Sequence, residues 1–93
     1  MTTQISTWDA AEQLDSNDAI AAYLSEVTEL GDPAHIVQAL NTVARARGMT
    51  EIARDAGIGR QALYKSLGQS GNPTLTTLLR VIKSLGLTMA VRS

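Results

Sequence analysis

Cysteine is absent from this sequence, and the aromatic residues are limited to Trp8, Tyr23 and Tyr64. Without cysteine the chain can form neither a disulfide nor a thiolate metal site, which fits a reducing compartment such as the cytoplasm. Because aromatic side chains are so few, the core must be built from Leu, Ile, Val and Met and from many alanines. Alanine-rich surfaces let helices pack closely against one another.

Long apolar runs and targeting signals are missing as well. No window approaches the roughly 18 consecutive apolar residues that a membrane span requires, and residues 1–4 lack the basic stretch and the apolar run of a signal peptide. A length of 93 residues suffices for one modest core. We therefore expect a single domain over residues 1–93, belonging to a soluble, cytoplasmic protein with no membrane partner.

The residues that catalysis or metal binding would need are also scarce. His35 is the only histidine, and a zinc site requires further His or Cys ligands. Ser66 and Ser70 have no histidine base near them in the sequence, and the glycines between residues 68 and 71 lack the lysine of a phosphate-binding loop. We predict no enzyme activity, no metal and no cofactor.

Basic residues are missing from the first part of the chain. Residues 1–40 contain seven Asp and Glu residues and no Lys or Arg, whereas residues 41–93 contain all eight bases beside only Glu51 and Asp55. The two parts therefore carry formal charges of −7 and +6. Such an asymmetry lets one part approach DNA while the other attracts a basic partner, although a run of acids can also serve only to solvate a surface.

Helix caps, rather than strand signals, divide the first part of the sequence. Thr7 can cap a short helix over residues 8–14, and Ser16 or Asn17 can cap a second helix that Gly31 ends. The second helix has one apolar stripe that we expect to be buried, formed by Ile20, Tyr23, Leu24, Val27 and Leu30.

A third helix is predicted from Asp32, an N-cap, followed by Pro33 at the first helical position. It should run to about Arg47, before Gly48 ends it. The residues that this helix should bury are Ile36, Leu40 and Val43, with Ala39 and Ala44 as further candidates.

The end of the sequence predicts a last helix and a strand. Thr74 can cap a helix that Gly86 ends, with Leu75, Leu78, Leu79, Ile82 and Leu85 facing inward. Residues 87–92 alternate large apolar with smaller or polar residues, the period of a half-buried strand. A lone strand needs a partner, and the candidates are residues 4–6 of the same chain and the same strand of a second subunit. We favour the second and expect this strand to join two subunits of a homodimer through Leu87, Met89 and Val91.

The segment from Thr50 to Leu67 predicts a helix-turn-helix. Gly57 can adopt the positive φ that a tight turn requires, and Ala53 lies where the two helices come closest. The alternative is an ordinary helical hairpin whose glycines only reverse the chain. The apolar contacts of the pair should come from Ile52, Ile58, Leu63 and Leu67.

The second helix of such a motif lies in the DNA major groove with its first residues at the base edges. Arg60 can form two hydrogen bonds to guanine, and Gln61 suits adenine. Tyr64 can reach a phosphate or a thymine methyl group, and Lys65 a phosphate. Thr50, as the predicted cap of the first helix, can hold a further phosphate together with the free amides there. The candidate DNA contacts are Thr50, Gly59, Arg60, Gln61, Tyr64 and Lys65.

Several stretches share the pattern of one known family: residues 44–53 (ARARGMTEIA), 57–67 (GIGRQALYKSL) and 71–74 (GNPT), together with Trp8-Asp9, Tyr23-Leu24, Gly31-Asp32-Pro33 and Leu85-Gly86-Leu87. They resemble the probable addiction-module antidote proteins, antitoxins with a lambda-repressor-like helix-turn-helix. One departure is Ser66, where many such motifs have an aliphatic residue, so we expect Leu67 to pack in its place. The expected fold is an all-α domain of five to six helices with a short C-terminal β-strand: acidic helices over 1–31, the helix-turn-helix core over 32–86 and the strand over 87–92.

The resemblance implies a type II antitoxin that neutralises a small basic toxin of the RelE/ParE-like class and represses its own operon as a dimer bound to double-stranded DNA. It assigns the DNA contacts to Arg60, Gln61 and Tyr64. The toxin has no equally sharp motif, so we assign its binding to the acidic half and its one tryptophan: Trp8, Asp9, Glu12, Asp18, Glu26 and Glu29. The alternatives are a stand-alone helix-turn-helix transcriptional regulator with no toxin partner and a protein-interaction bundle that does not bind DNA.

Overall fold

The computed structural model describes residues 16–93, which form five α-helices. They are α1 (Asn17–Leu30), α2 (Pro33–Arg47), α3 (Met49–Ala56), α4 (Arg60–Ser66) and α5 (Leu75–Ser84). The prediction of an all-helical protein is confirmed for this part of the chain. The short helix predicted over residues 8–14 lies outside the described residues, and none of the five helices is long and apolar enough to span a lipid bilayer.

Three of the five helices begin at the cap residues that the sequence predicts. The Ser16 hydroxyl accepts a hydrogen bond from the Ala19 amide (3.2 Å), and the Asp32 carboxylate accepts one from Ala34 (3.0 Å). Thr74 caps α5 by accepting a bond from the Thr77 amide (3.1 Å). These bonds satisfy amides that have no partner inside their own helix.

The predicted cap at Thr50 is wrong. Helix α3 already begins at Met49, and Gly48 occupies its N-cap with φ 105° and ψ 109°. Gly48 also ends α2, since its amide donates to the Ala44 carbonyl (2.8 Å). A single glycine thus turns the chain between two helices, which is possible because glycine tolerates this positive φ. Thr50 is therefore the second residue of α3 and is exposed.

The core lies where α3 meets α2, α4 and α5, and it extends over α1 through the contact of α1 with α2. The side chains that are almost completely buried are aliphatic, apart from Thr42: Ile20, Leu40, Thr42, Val43, Leu63, Leu67, Val81 and Leu85. Small residues fill the contacts between them, namely Ala39, Ala44 and Ala53. Among the described residues, the core is thus built from aliphatic side chains and alanines, and the aromatic Tyr23 packs half-buried against it.

The apolar stripes of α1 and α5 are buried only in part, which corrects two predictions. Leu30 is 73% exposed, since α1 ends there beside Gly31. On α5, Leu75 is 68% and Leu79 44% exposed, whereas Val81 is fully buried. Residues 75 and 79 lie on a different side of a helix from residues 81 and 85, and α5 turns this second side, with Val81 and Leu85, toward the core.

The predicted C-terminal strand is absent, because no segment of the described chain offers it a backbone partner. The Leu87 amide instead donates to the Ile82 carbonyl (3.2 Å), and the Leu87 side chain packs half-buried against the core. Residues 88–93 have no regular secondary structure and return along α1, where the Arg92 guanidinium pairs with Glu29. We call residues 87–93 the C-terminal segment below.

The orientation of α5 can be tested by comparing two alanine variants. Val81→Ala should lower the free energy of unfolding by about 2 kcal/mol, because it removes buried methyl groups and leaves a cavity. Leu79→Ala removes more carbon atoms from an exposed position and should cost less than about 1 kcal/mol. Urea titration of both variants measures the difference, and a larger loss for Leu79→Ala would contradict the orientation described here.

Candidate nucleic-acid interface

A tight turn at Gly57 joins α3 to α4. Gly57 is left-handed, with φ 69° and ψ 33°. The Gly57 amide donates to the Arg54 carbonyl (3.2 Å) and the Ile58 amide to the Ala53 carbonyl (2.9 Å). Ala53 itself is only 4% exposed, as expected for the place where neighbouring helices approach. The turn, its glycine and its small neighbour are therefore where the sequence predicts them.

Helix α4 has one buried face and one polar face. Leu63 is completely buried, and Leu67, directly after the helix, is 1% exposed. The expectation that Leu67 packs in place of Ser66 is confirmed. Ser66 is half-buried, and its hydroxyl donates to the Leu63 carbonyl (3.1 Å). The exposed side chains of α4 include four of the candidate DNA contacts: Arg60, Gln61, Tyr64 and Lys65.

Arg60 and Tyr64 contact each other on this polar face. The Arg60 guanidinium carbon lies 5.5 Å from the centre of the Tyr64 ring, a distance typical of a cation–π interaction. Arg60 has no acidic partner among the described ion pairs. The contact therefore orients the guanidinium along the helix without neutralising its charge.

Neither α3 nor α4 has a side-chain cap, in contrast to α1, α2 and α5. Gly59 is the N-cap of α4, and a side chain added there would meet no other atom within 4 Å. Thr50 lies in the first turn of α3 beside Glu51, whose carboxylate is 3.9 Å from the Arg54 guanidinium. The first amides of α3 are thus free of side-chain partners, but a negative charge accompanies them.

The charged residues of α4, and those that follow it in the sequence, are all basic. No Asp or Glu follows Asp55, and five bases lie beyond it. On α3, by contrast, Arg54 is shared between Glu51 and Asp55, both at 3.9 Å. Helix α4 and the helix that follows it therefore carry four bases and no acid.

A hydrogen bond that the sequence analysis missed fixes the end of α4. The Asn41 side-chain amide, on α2, donates to the Leu67 carbonyl (3.0 Å). Since this carbonyl follows the last turn of α4, the bond satisfies an acceptor that the helix leaves open. The available signal was an asparagine next to Leu40 within the buried stretch of α2, where an unpaired polar group would be costly.

Gly71 closes the loop after α4 by close backbone approach. A methyl group in place of its hydrogen would lie 2.1 Å from the Ser66 carbonyl oxygen and 2.8 Å from that of Lys65. Only glycine lets the chain pass the end of α4 at this distance. The loop therefore packs against the C-terminal end of α4, where Asn41 also binds.

The residues assigned to a protein partner are only partly described. Trp8, Asp9 and Glu12 lie outside the described residues. Asp18, Glu26 and Glu29 are exposed on α1. Asp18 is two positions from the buried Ile20, and Glu26 is two positions from the buried Leu24, so both acids lie on the opposite side of the helix. Glu29 differs from the other two because Arg92 pairs with it.

The predicted dimer contact through Leu87, Met89 and Val91 has no strand to carry it. Leu87 is half-buried in its own subunit, whereas Met89 is 43% and Val91 97% exposed. A contact between subunits at this place would therefore rest on the side chains of Met89 and Val91, and it stays a prediction.

These features define residues 16–93 as an all-helical fold in which two short helices, joined by a glycine turn, present a polar and basic face. Residues 4–93 match the family described as probable addiction module antidote protein, and the chain belongs to this family. It is also 46% identical, over 92 residues, to an uncharacterized protein of Haemophilus influenzae, a match that covers 99% of this chain and 95% of that protein. No solved structure matches the chain.

Loss of the Asn41 bond should loosen α4. We expect Asn41→Ala to lower the free energy of unfolding by about 1 to 2 kcal/mol, because the Leu67 carbonyl is left without its partner. The amides of α4 should also exchange with solvent faster. Asn72→Ala, which changes the same residue type in the exposed loop, is the control and should alter stability by less than about 0.5 kcal/mol. Equal effects of both substitutions would show that Asn41 does not anchor the helix.

Proposed function

We propose that this protein is the antitoxin of a type II toxin-antitoxin module. In this proposal it neutralises a RelE/ParE-like toxin by direct binding and represses its own operon through sequence-specific DNA binding. The family to which the chain belongs supports the antidote role. The observation that carries the DNA-binding role is the exposed polar face of α4, whose opposite face is locked into the core.

Helix α4 would serve as the recognition helix in the major groove. Arg60 would form two hydrogen bonds to guanine O6 and N7, and Gln61 would bind adenine through N6 and N7. The contact of Arg60 with the Tyr64 ring supports this role. It restricts the Arg60 side chain before DNA binds, so less conformational entropy is lost on binding. Tyr64 and Lys65 would then reach the phosphate backbone or a thymine methyl group.

The start of α3 and the turn before α4 would add backbone contacts. Phosphate oxygens accept hydrogen bonds from free amides at helix starts, and α3 has no side-chain cap to compete for them. Thr50 could donate its hydroxyl to the same phosphate, and the absence of a side chain at Gly59 lets the DNA backbone come near. Two copies would bind a palindromic operator whose half-sites are about one helical turn apart.

The acidic surface of α1 would receive the toxin. Helix α1 carries Asp18, Glu26 and Glu29 and no basic residue, so its field attracts a basic protein and repels DNA. This separation of charge supports two binding surfaces on one chain. A substitution on one surface should therefore act mainly on the ligand that binds there.

Gln61 tests the DNA-binding proposal most directly. Gln61→Ala should weaken binding to the DNA upstream of this protein's own gene by roughly 1 to 3 kcal/mol and change binding to random DNA little, because only a base contact is lost. Titrations of both DNAs at one fixed salt concentration measure this. Equal losses on the two DNAs would exclude Gln61 from base recognition.

Lys65→Ala is the matched control for a phosphate contact. It should weaken binding to both DNAs to the same degree and lower the slope of log K against log salt by about 1. A selective loss on the upstream DNA would instead make Lys65 a base reader. If the wild-type protein binds both DNAs equally, the proposal of a sequence-specific repressor is wrong.

The toxin-binding surface is tested by charge neutralisation on α1. Asp18→Asn combined with Glu26→Gln should weaken binding to the basic protein encoded beside this gene by roughly three- to tenfold, as expected for two exposed charge pairs. The control is Asp55→Asn, an exposed acid on α3. Affinities follow from calorimetry of the co-purified partner after separation, and failure of any basic neighbour to co-purify would contradict the antitoxin role.

A further inference from the structure

The C-terminal segment and α1 enclose an open cleft of about 640 Å³. Its walls are mostly apolar: Leu24, Ile82, Leu87 and Met89 line it, together with the methyl-bearing Thr28. Leu24 and Leu87 also belong to, or pack against, the main core. The cleft therefore runs beside the core and opens onto the side of α1 that carries Glu29.

Few interactions hold the C-terminal segment over this cleft. Two polar contacts join the C-terminal segment to the other described residues. The Leu87 amide donates to the Ile82 carbonyl, and the Arg92 guanidinium pairs with Glu29. Both side chains of this pair are largely exposed, Arg92 to 79% and Glu29 to 61%. Ion pairs this exposed contribute little, so residues 88–93, beyond the half-buried Leu87, can be displaced at low cost.

The contact also shows which chemistry the cleft accepts. Residues 88–93 lie along α1, and the Arg92 guanidinium pairs with Glu29. Ala90, two residues before Arg92, lines the cleft with its apolar side chain. Helix α1 has acids and no base of its own. A cation from another molecule is thus attracted to the position that Arg92 occupies.

We propose that the α1 and α5 side of this cleft, with Leu24, Thr28 and Ile82, is a docking site for an extended, arginine-bearing segment of a basic protein partner. The partner's segment would take the place of residues 88–93, and its guanidinium would replace that of Arg92 on Glu29. The C-terminal segment is then an intramolecular competitor that occupies this surface until the partner binds. The proposal rests on the antitoxin function above for the identity of the partner, and it places one contact of that partner at the end of α1. Charge complementarity favours this occupant over DNA, which Glu29 repels.

A synthetic peptide provides a probe that needs neither toxin nor DNA. The labelled peptide has the sequence of residues 87–93, and its binding to the full-length protein is followed by fluorescence anisotropy. Arg92→Gln should bind it roughly two- to fivefold more tightly than the wild type, because the protein's own segment competes less well. A peptide with Gln in place of Arg should bind the Arg92→Gln protein more weakly, whereas Glu29→Gln should bind both peptides equally, because the guanidinium then has no carboxylate partner.

Two controls make the result decisive. Arg80→Gln removes an exposed arginine from α5 and should leave peptide affinity at the wild-type value. In methyl NMR spectra, the bound peptide should shift the signals of Leu24, Ile82 and Met89. Equal affinity for all variants, or shifts confined to other methyl groups, would overturn the proposal. A dimer that dissociates in Arg92→Gln by sedimentation would also overturn it, because the cleft would then hold a second copy of the chain.

The outcome separates this proposal from the antitoxin function. If the peptide fails to bind while a basic neighbour co-purifies, the docking site is wrong and the antitoxin role stands. If the peptide binds at the cleft but no basic protein co-purifies, the cleft remains a site for arginine-bearing peptides and the antitoxin role falls.

Discussion

The seven-residue helix α4 depends on two buried leucines. A helix this short is not stable alone in water, because it gains too few internal hydrogen bonds to offset the cost of starting it. The burial of Leu63 and Leu67 therefore holds it in place. Gly57 sets the direction in which it leaves α3, and Asn41 fixes its far end. Because its inner face is fixed at both ends, its outer face can be polar without loss of order.

Acidic and basic residues lie mostly on different helices of the molecule. The acids of α1 point away from the core on the side opposite Ile20 and Leu24, whereas the bases that follow Asp55 belong to α4, α5 and the C-terminal segment. Arg92 is the exception, since it returns to Glu29 on α1. The segment that carries Arg92 thus contacts α1 through an exposed ion pair and not through regular secondary structure.

The sequence predicts most helix ends here because caps and glycines act locally. Ser16, Asp32 and Thr74 each bond an amide within three residues, and Gly31 and Gly57 answer a local need for positive φ. The errors concern contacts between distant parts. The apolar residues of α5 cover a broad arc of the helix, so their spacing does not show that Val81, rather than Leu79, meets the core. The alternating pattern of residues 87–92 likewise does not show whether another strand is there to pair with them. The candidate DNA contacts on α4 are predicted from residue types and their spacing, whereas the Asn41 bond spans 26 positions, so nothing local identifies its partner.

Helix α2 contacts both proposed binding surfaces, and this limits how they can influence each other. Arg47 at its end donates to Asn17 at the start of α1, while Asn41 holds the end of α4. Since Ala39, Leu40 and Val43 bury α2 in the core, a partner on α1 has no evident means of shifting α4. Charge remains as the link between them. A basic partner that neutralises the acids of α1 removes a field that repels DNA, and by linkage DNA would then favour the partner to the same extent. Partner and operator should therefore assist each other unless they collide.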